Sequence, residues 1–116
     1  MRFEDQRLRL VNELKLEGIT SSAVLDAFAK VPREDYVLPE YREYSYQNRP
    51  LPIKEGQTIS QPLMIAIMLQ LLDLKSSDTV LEIGTGSGYQ SALLAEIVKE
   101  VCTVERLESL SLNAQK

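Results

Sequence analysis

Val80-Leu81-Glu82-Ile83-Gly84-Thr85-Gly86-Ser87-Gly88-Tyr89 is the stretch on which the reading of this chain turns. An apolar run of this length predicts a buried parallel strand. The alternate glycines then predict a tight passage into a helix that begins near Tyr89. Glycine suits such a passage because the turn demands backbone angles that a Cβ forbids, and because main chain must come close to whatever binds there. The N-terminus of the following helix offers N–H groups to a polar or anionic ligand. The stretch is therefore the candidate cofactor-binding element.

Spacing narrows the choice of cofactor. A dinucleotide fingerprint, Gly-x-Gly-x-x-Gly, would place its third glycine at position 89, where the chain has Tyr89 and puts Gly88 one residue early. A phosphate loop of the ATPase type would need a Lys-Ser/Thr pair, and none follows. The pattern Glu82-x-Gly84-x-Gly86-x-Gly88 instead resembles motif I of the class I S-adenosylmethionine-dependent methyltransferases. That resemblance implies S-adenosyl-L-methionine as cofactor, held by Glu82, Gly84, Thr85, Gly86, Ser87 and Gly88. Further on, Val101-Cys102-Thr103-Val104-Glu105 alternates as a second short strand ending in an acid. Its distance from the glycines matches that of a ribose-binding carboxylate in nucleotide-binding folds, so Glu105 is assigned to the ribose hydroxyls. A carboxylate beginning a surface loop would look the same in isolation.

The 116 residues suffice for one small domain of ordinary apolar content. A net charge of −4 with no basic stripe disfavours nucleic acid as a partner. The sequence from Met1 to Asp5 does not open as a signal peptide, and no apolar run reaches membrane-spanning length. A cytoplasmic protein without a membrane partner is expected. Cys102 is the single cysteine and reads as a small core residue. With no histidine, neither a His-based triad nor a His-ligated metal site can be built.

Before the glycine stretch, Phe3, Leu8, Leu10, Val11 and Leu14 recur at helical spacing, with Gly18 as the stop. Ser21 or Ser22 caps a second helix whose Ala23, Val24, Ala27, Phe28 and Val31 face inward, and Pro32 closes it. From Arg33 to Lys54 prolines interrupt an irregular segment crowded with Tyr36, Tyr41, Tyr44 and Tyr46. These rings either anchor the segment to the core or line a peptide groove. A third helix starts at Pro62, with Ser60 in the capping position, and its apolar run from Leu63 to Leu72 predicts burial against the sheet.

Gln57-Thr58-Ile59-Ser60-Gln61-Pro62, taken with the glycine stretch, Val31-Pro32-Arg33-Glu34 and Val104-Glu105-Arg106, is similar to the bacterial protein-L-isoaspartate O-methyltransferase family. The resemblance covers the whole chain and about the first half of a family member. It implies a repair enzyme that methylates the free α-carboxyl of L-isoaspartyl residues in damaged proteins and peptides. Ser60 is then the active-site residue, Thr58 and Ile59 join it at the cofactor, and Leu51-Pro52-Ile53 lies near the peptide. The bland reading of Ser60 is a helix N-cap. The fold class implied is α/β: N-terminal helices plus the first βαβ part of a Rossmann-like methyltransferase fold, its sheet incomplete. Residues 1–56 form a helical and loop region and residues 57–116 the first part of the cofactor-binding domain. Only two strands read as parallel, and unpaired edges predict self-association of the chain. The alternatives are a class I methyltransferase with another substrate and a non-catalytic module.

Overall fold

The computed structural model describes residues 2–104. Helix α1 (Phe3–Leu16) buries Leu10, Val11 and Leu14. It ends at Gly18, whose φ of +105° suits the left-handed C-terminal turn. There Gly18 N donates to Lys15 O and Ile19 N to Leu14 O, both at 3.1 Å, the two bonds of a Schellman turn. Leu8, expected on the inner stripe, is exposed. Helix α2 (Ser22–Lys30) is capped by Ser21, whose Oγ accepts from Val24 N at 3.3 Å. It buries Val24, Leu25, Ala27 and Phe28, and Val31 just beyond it is buried too, while Ala23 faces solvent.

The Pro- and Tyr-rich segment is ordered by short 3-10 turns at Arg33–Tyr36 and Pro39–Tyr44. Its tyrosines act as anchors. Tyr46 is buried, and Tyr36, Tyr41 and Tyr44 pack partly against the core. The Tyr46 hydroxyl accepts from Arg7 Nε at 2.8 Å and from Arg33 N at 3.0 Å, and donates to Glu34 Oε1. Burial and the Glu34 bond push its pKa up to about 12. Strand β1 (Leu51–Pro52) then pairs antiparallel with β2 (Thr58–Ile59), Leu51 opposite Ile59. At the tip of this hairpin Glu55 and Gly56 have φ of +62° and +68°.

Helix α3 (Pro62–Leu71) departs from expectation at both its start and its packing. Its cap position is Gln61, not Ser60, with Pro62 in the first turn. The first turn is satisfied from a distance, because Asn48 Oδ1 accepts from Leu63 N at 2.9 Å while Gln61 Nε2 donates to Asn48 O at 3.1 Å. One face, Ile65, Ala66 and Leu69, packs inward with α2 as a neighbour. Met64, Ile67, Met68, Leu71 and Leu72 are exposed, so the helix is not buried all round.

Strand β3 (Thr79–Ile83), helix α4 (Tyr89–Ile97) and strand β4 (Glu100–Val104) form the parallel βαβ unit, with Thr79 opposite Glu100 and Ile83 opposite Val104. Gly84 N extends the ladder to Val104 O at 2.6 Å. Helix α4 packs between this sheet and α2, burying Tyr89, Leu93, Leu94 and Ile97, with Phe28 and Tyr89 edge to face at 6.1 Å. The sheet is covered on one side only. Val80, Glu82, Val101 and Thr103 point toward one face by strand alternation, and Leu81, Ile83, Cys102 and Val104 toward the other. Leu81 is 63% exposed and Ile83 83%. The fully buried strand and the buried Cys102 expected from the sequence are thereby corrected: both depend on a second covering layer that residues 2–104 do not supply.

Candidate cofactor and acceptor site

The turn from β3 to α4 is built on left-handed glycines. Gly84, Gly86 and Gly88 have φ of +87°, +58° and +92°, and an L-residue is strained at each. A Cβ on Gly84 would meet nothing within 4 Å, and one on Gly86 would come 3.8 Å from Ile53 Cδ1. Backbone conformation, rather than crowding, is thus what demands glycine here, and the space beside Gly84 is open. Gly88 N donates to Thr85 O at 3.0 Å, and Ser87 Oγ accepts from Tyr89 N at 3.3 Å, closing the turn onto the first residue of α4.

Beneath the turn, Glu82 and Thr85 gather two partners that the sequence did not announce, Ser91 and Thr103. Glu82 is 6% exposed, and its Oε1 accepts from Thr103 Oγ1 at 2.9 Å and from Ser91 Oγ. Thr85 Oγ1 in turn bonds Thr103 Oγ1 at 2.5 Å. One hydrogen per hydroxyl gives the order: Thr85 donates to Thr103, and Thr103 and Ser91 donate to the carboxylate. Glu82 therefore ties β3, β4 and α4 together directly below the glycines. Its Oε1 is satisfied inside the protein.

The hairpin supplies the other wall. Ile53, buried, brings its Cδ1 against the Gly86 position, and Ile59, paired with Leu51, is buried too. Thr58 and Ser60 are exposed on either side of Ile59, as strand alternation requires. The Ser60 hydroxyl caps no helix, since Asn48 serves α3 instead. Its carbonyl oxygen accepts from Arg33 Nη2 at 3.2 Å. Arg33 is entirely buried and its guanidinium lies 5.0 Å over the Tyr89 ring. Burial lowers the Arg33 pKa, opposed by Tyr89, and burial raises that of the Tyr89 hydroxyl.

Of the site residues expected from sequence, Glu82, Gly84, Thr85, Gly86, Ser87 and Gly88 form one turn, and Thr58, Ile59 and Ser60 lie on the hairpin whose Ile53 touches it. Glu105 lies outside the described residues. Asn48, Ser91 and Thr103 were missed, and Arg33 entered only as part of a motif. Asn48, Ser91 and Thr103 are small polar residues without a periodic signal, and the sole hint for Arg33 is its place directly after Val31 and Pro32 at the end of an apolar helix.

A turn of this construction at the end of a parallel strand defines a Rossmann-like nucleotide-binding unit. A family model described as Protein-L-isoaspartate(D-aspartate) O-methyltransferase (PCMT) matches residues 5–116, and the chain belongs to that family. The chain is 54% identical over 115 residues to a protein-L-isoaspartate O-methyltransferase of Dictyoglomus turgidum, covering 99% of this chain and 52% of that protein. A relative of the same description from Petrotoga mobilis is 54% identical over 116 residues, 99% of this chain and 54% of its own. Among solved structures, one protein-L-isoaspartate O-methyltransferase superposes with a TM-score of 0.85 at 32% identity, covering 94% of this chain and 37% of the other. A Plasmodium falciparum chain described as a β-aspartate methyltransferase of this kind, solved in complex with S-adenosyl-L-homocysteine, gives 0.79 at 29% identity, covering 92% and 52%. The chain thus spans about half the length of the curated relatives it matches.

Proposed function

We propose that this protein transfers a methyl group from S-adenosyl-L-methionine to the α-carboxyl of L-isoaspartyl residues in damaged proteins and peptides. The observation that carries this reading is the run of left-handed glycines between β3 and α4, with the Thr58–Ser60 hairpin packed against it through Ile53. The open side of Gly84 and the first turn of α4 suit the polar amino-acid end of the cofactor. Thr85, Gly86, Ser87 and Gly88 bring main chain to it, Glu82 holds the turn through Ser91 and Thr103, and Glu105 takes the ribose hydroxyls. When bound, the cofactor supplies a methyl group already activated on a sulfonium.

The chain's own task is then alignment. The acceptor carboxylate is ionised at neutral pH, so no general base is needed and the lack of histidine is no obstacle. Ser60, with an exposed hydroxyl free of capping duty, donates to one carboxylate oxygen and orients the other toward the methyl, while Thr58 and the main chain of Ile59 complete that wall. Transfer so aligned would form one oxygen–carbon bond and break one carbon–sulfur bond, and would ask no proton transfer of the chain. Residues 1–56 serve as support and peptide-side surface, and residues 57–116 as the cofactor side. Among the described residues no helix is long and apolar enough to cross a membrane, and a cytoplasmic location fits protein repair. Methyl transfer from labelled S-adenosylmethionine, in a protein carried to the relatives' full length, to a peptide with an isoaspartyl residue and to its aspartyl counterpart tests the reading. Equal labelling of both peptides, or of neither, would overturn it.

The exposed apolar face of β3 and β4 favours a second property for the 116-residue chain alone. Leu81, Ile83 and Val104 lie side by side in solvent, and such a surface promotes association between copies. Light scattering over a concentration series is expected to show growing mass, and a monomer throughout would exclude it.

A further inference from the structure

Arg33 is the largest fully buried side chain described, and among the described residues no carboxylate pairs with it. A guanidinium withdrawn from water without an anion is costly, and a well-packed apolar side chain in its place would avoid that cost. What it offers in return is reach. Nη2 donates to the carbonyl oxygens of Arg49, at 3.4 Å, and of Ser60, at 3.2 Å, the residues that flank the β1–β2 hairpin on its two sides. The guanidinium carbon lies 5.0 Å over the ring of Tyr89, the first residue of α4 after the glycine turn. Nε and Nη1 find no hydrogen-bond acceptor among the described residues, so the aromatic face is their main compensation. The Arg33 backbone N–H donates to the Tyr46 hydroxyl, itself held by Arg7 and Glu34, so the arginine hangs from a fixed support.

We infer that Arg33 is a positioning residue for methyl transfer: it clamps both ends of the β1–β2 hairpin, which carries Thr58 to Ser60, to the helix that leaves the glycine turn. The inference rests on the function proposed above. Its physical basis is that Ile53 against Gly86 sets the closeness of hairpin and turn, whereas Arg33 sets their relative orientation, since two carbonyls and a ring cannot all keep their contacts if the hairpin swings. Both carbonyl bonds come from one nitrogen, Nη2, so what the guanidinium adds is a delocalised cation held over Tyr89 by the same side chain. A lysine ammonium carries the charge and has three donors, but its shorter stem cannot bond the two carbonyls and also place a delocalised cation over Tyr89.

Arg33→Met and Arg33→Lys, made in the full-length protein, test this with three readouts: kcat and KM for an isoaspartyl peptide, the dissociation constant of S-adenosylhomocysteine, and the Ser60–Gly86 Cα separation in crystal structures. A misplacement of about 1 Å can lower a rate about 100-fold. Arg33→Met is therefore expected to lose about 30- to 100-fold in kcat, keep cofactor affinity within about threefold, and widen the separation by about 1 Å. Arg33→Lys is expected to fall between it and the parent. A role in stability alone would lower the melting temperature and leave kcat per folded molecule unchanged, and that result would overturn the inference. So would loss of cofactor affinity in proportion to kcat. If Arg33→Met does not fold, Arg33→Lys decides, and parental kcat in it is the overturning result. If the parent transfers methyl to no isoaspartyl peptide, the proposed function fails, and the separation judges the clamp alone: widening supports it and an unchanged distance refutes it.

Discussion

Gly86→Val perturbs the glycine turn at its middle. The residue sits at φ of +58°, where an L-side chain costs about 1–2 kcal/mol. A Cβ there would already lie 3.8 Å from Ile53 Cδ1, so the two methyls of valine must displace Ile53 or the hairpin, an overpacking of about 1–3 kcal/mol. The sum, about 2–5 kcal/mol, is a large part of the total stability of an ordinary domain. Gly86→Ala separates the two effects, because its Cβ makes an ordinary contact and leaves only the backbone strain. Alanine is expected to lower the melting temperature by about 4–16 °C and valine by roughly twice that. Both should bind S-adenosylhomocysteine at least tenfold more weakly, a loss of about 1.4 kcal/mol, because relief of the strain moves the main chain that meets the ligand. Thermal unfolding by circular dichroism and calorimetric titration of the folded protein measure the two quantities. Parental affinity in a folded Gly86→Val protein would refute the assignment of the turn as the cofactor site.

Three further outcomes follow from the same structure. Glu105→Ala is expected to weaken S-adenosylhomocysteine by about 1–3 kcal/mol in calorimetry, the loss of hydrogen bonds to a charged group, and an effect on stability alone would make Glu105 a surface residue. Ser60→Ala in the full-length protein is expected to lower turnover with nearly unchanged cofactor binding. Because Ser60 caps no helix, its melting temperature should stay within about 1–2 °C of the parent, and turnover at the parental rate would remove Ser60 from the mechanism. Tyr46 gives a pH dependence. Its folded pKa of about 12 lies above the unfolded value near 10, so the fold favours the protonated phenol; that stabilisation is complete below pH 10 and lost as pH rises from about 10 to 12. Tyr46→Phe should be less stable at pH 7 yet flatten the decline measured by urea unfolding across that window, leaving the slope due to Tyr89, Tyr36 and Tyr44, whose pKa values are also raised. An unchanged slope would show that Tyr46 does not titrate with unfolding.

The parts of the fold that follow from periodicity and glycine chemistry were legible in the residues. The positive φ at Gly84, Gly86 and Gly88, the start of α4 at Tyr89, the Ser21 cap and the stop at Gly18 all follow from local rules. What could not be read depends on contacts between distant segments. Asn48 takes over the capping of α3 from 15 residues upstream, which frees Ser60 for another use. Thr103 and Ser91 converge on Glu82 only because β4 pairs in register with β3 and α4 crosses above them. Leu81 and Ile83 read as core because strand patterning registers hydrophobicity and not whether a neighbouring layer is present. Arg33 shows the same limit from the other side, for a charged residue is read as surface until the packing around it is known.

A single binding site made of the glycine turn and the hairpin that carries Thr58 to Ser60 should respond to ligand as one unit. Titration of the isotope-labelled 116-residue chain with S-adenosylhomocysteine, followed by amide chemical shifts, tests it even where affinity is weak. Saturable shifts sharing one dissociation constant are predicted at residues 58–60 and 84–89, with α1 and the tip of the β1–β2 hairpin unmoved. A folded chain whose amides in these two segments stay still at millimolar ligand, or whose shifts gather elsewhere, would contradict it.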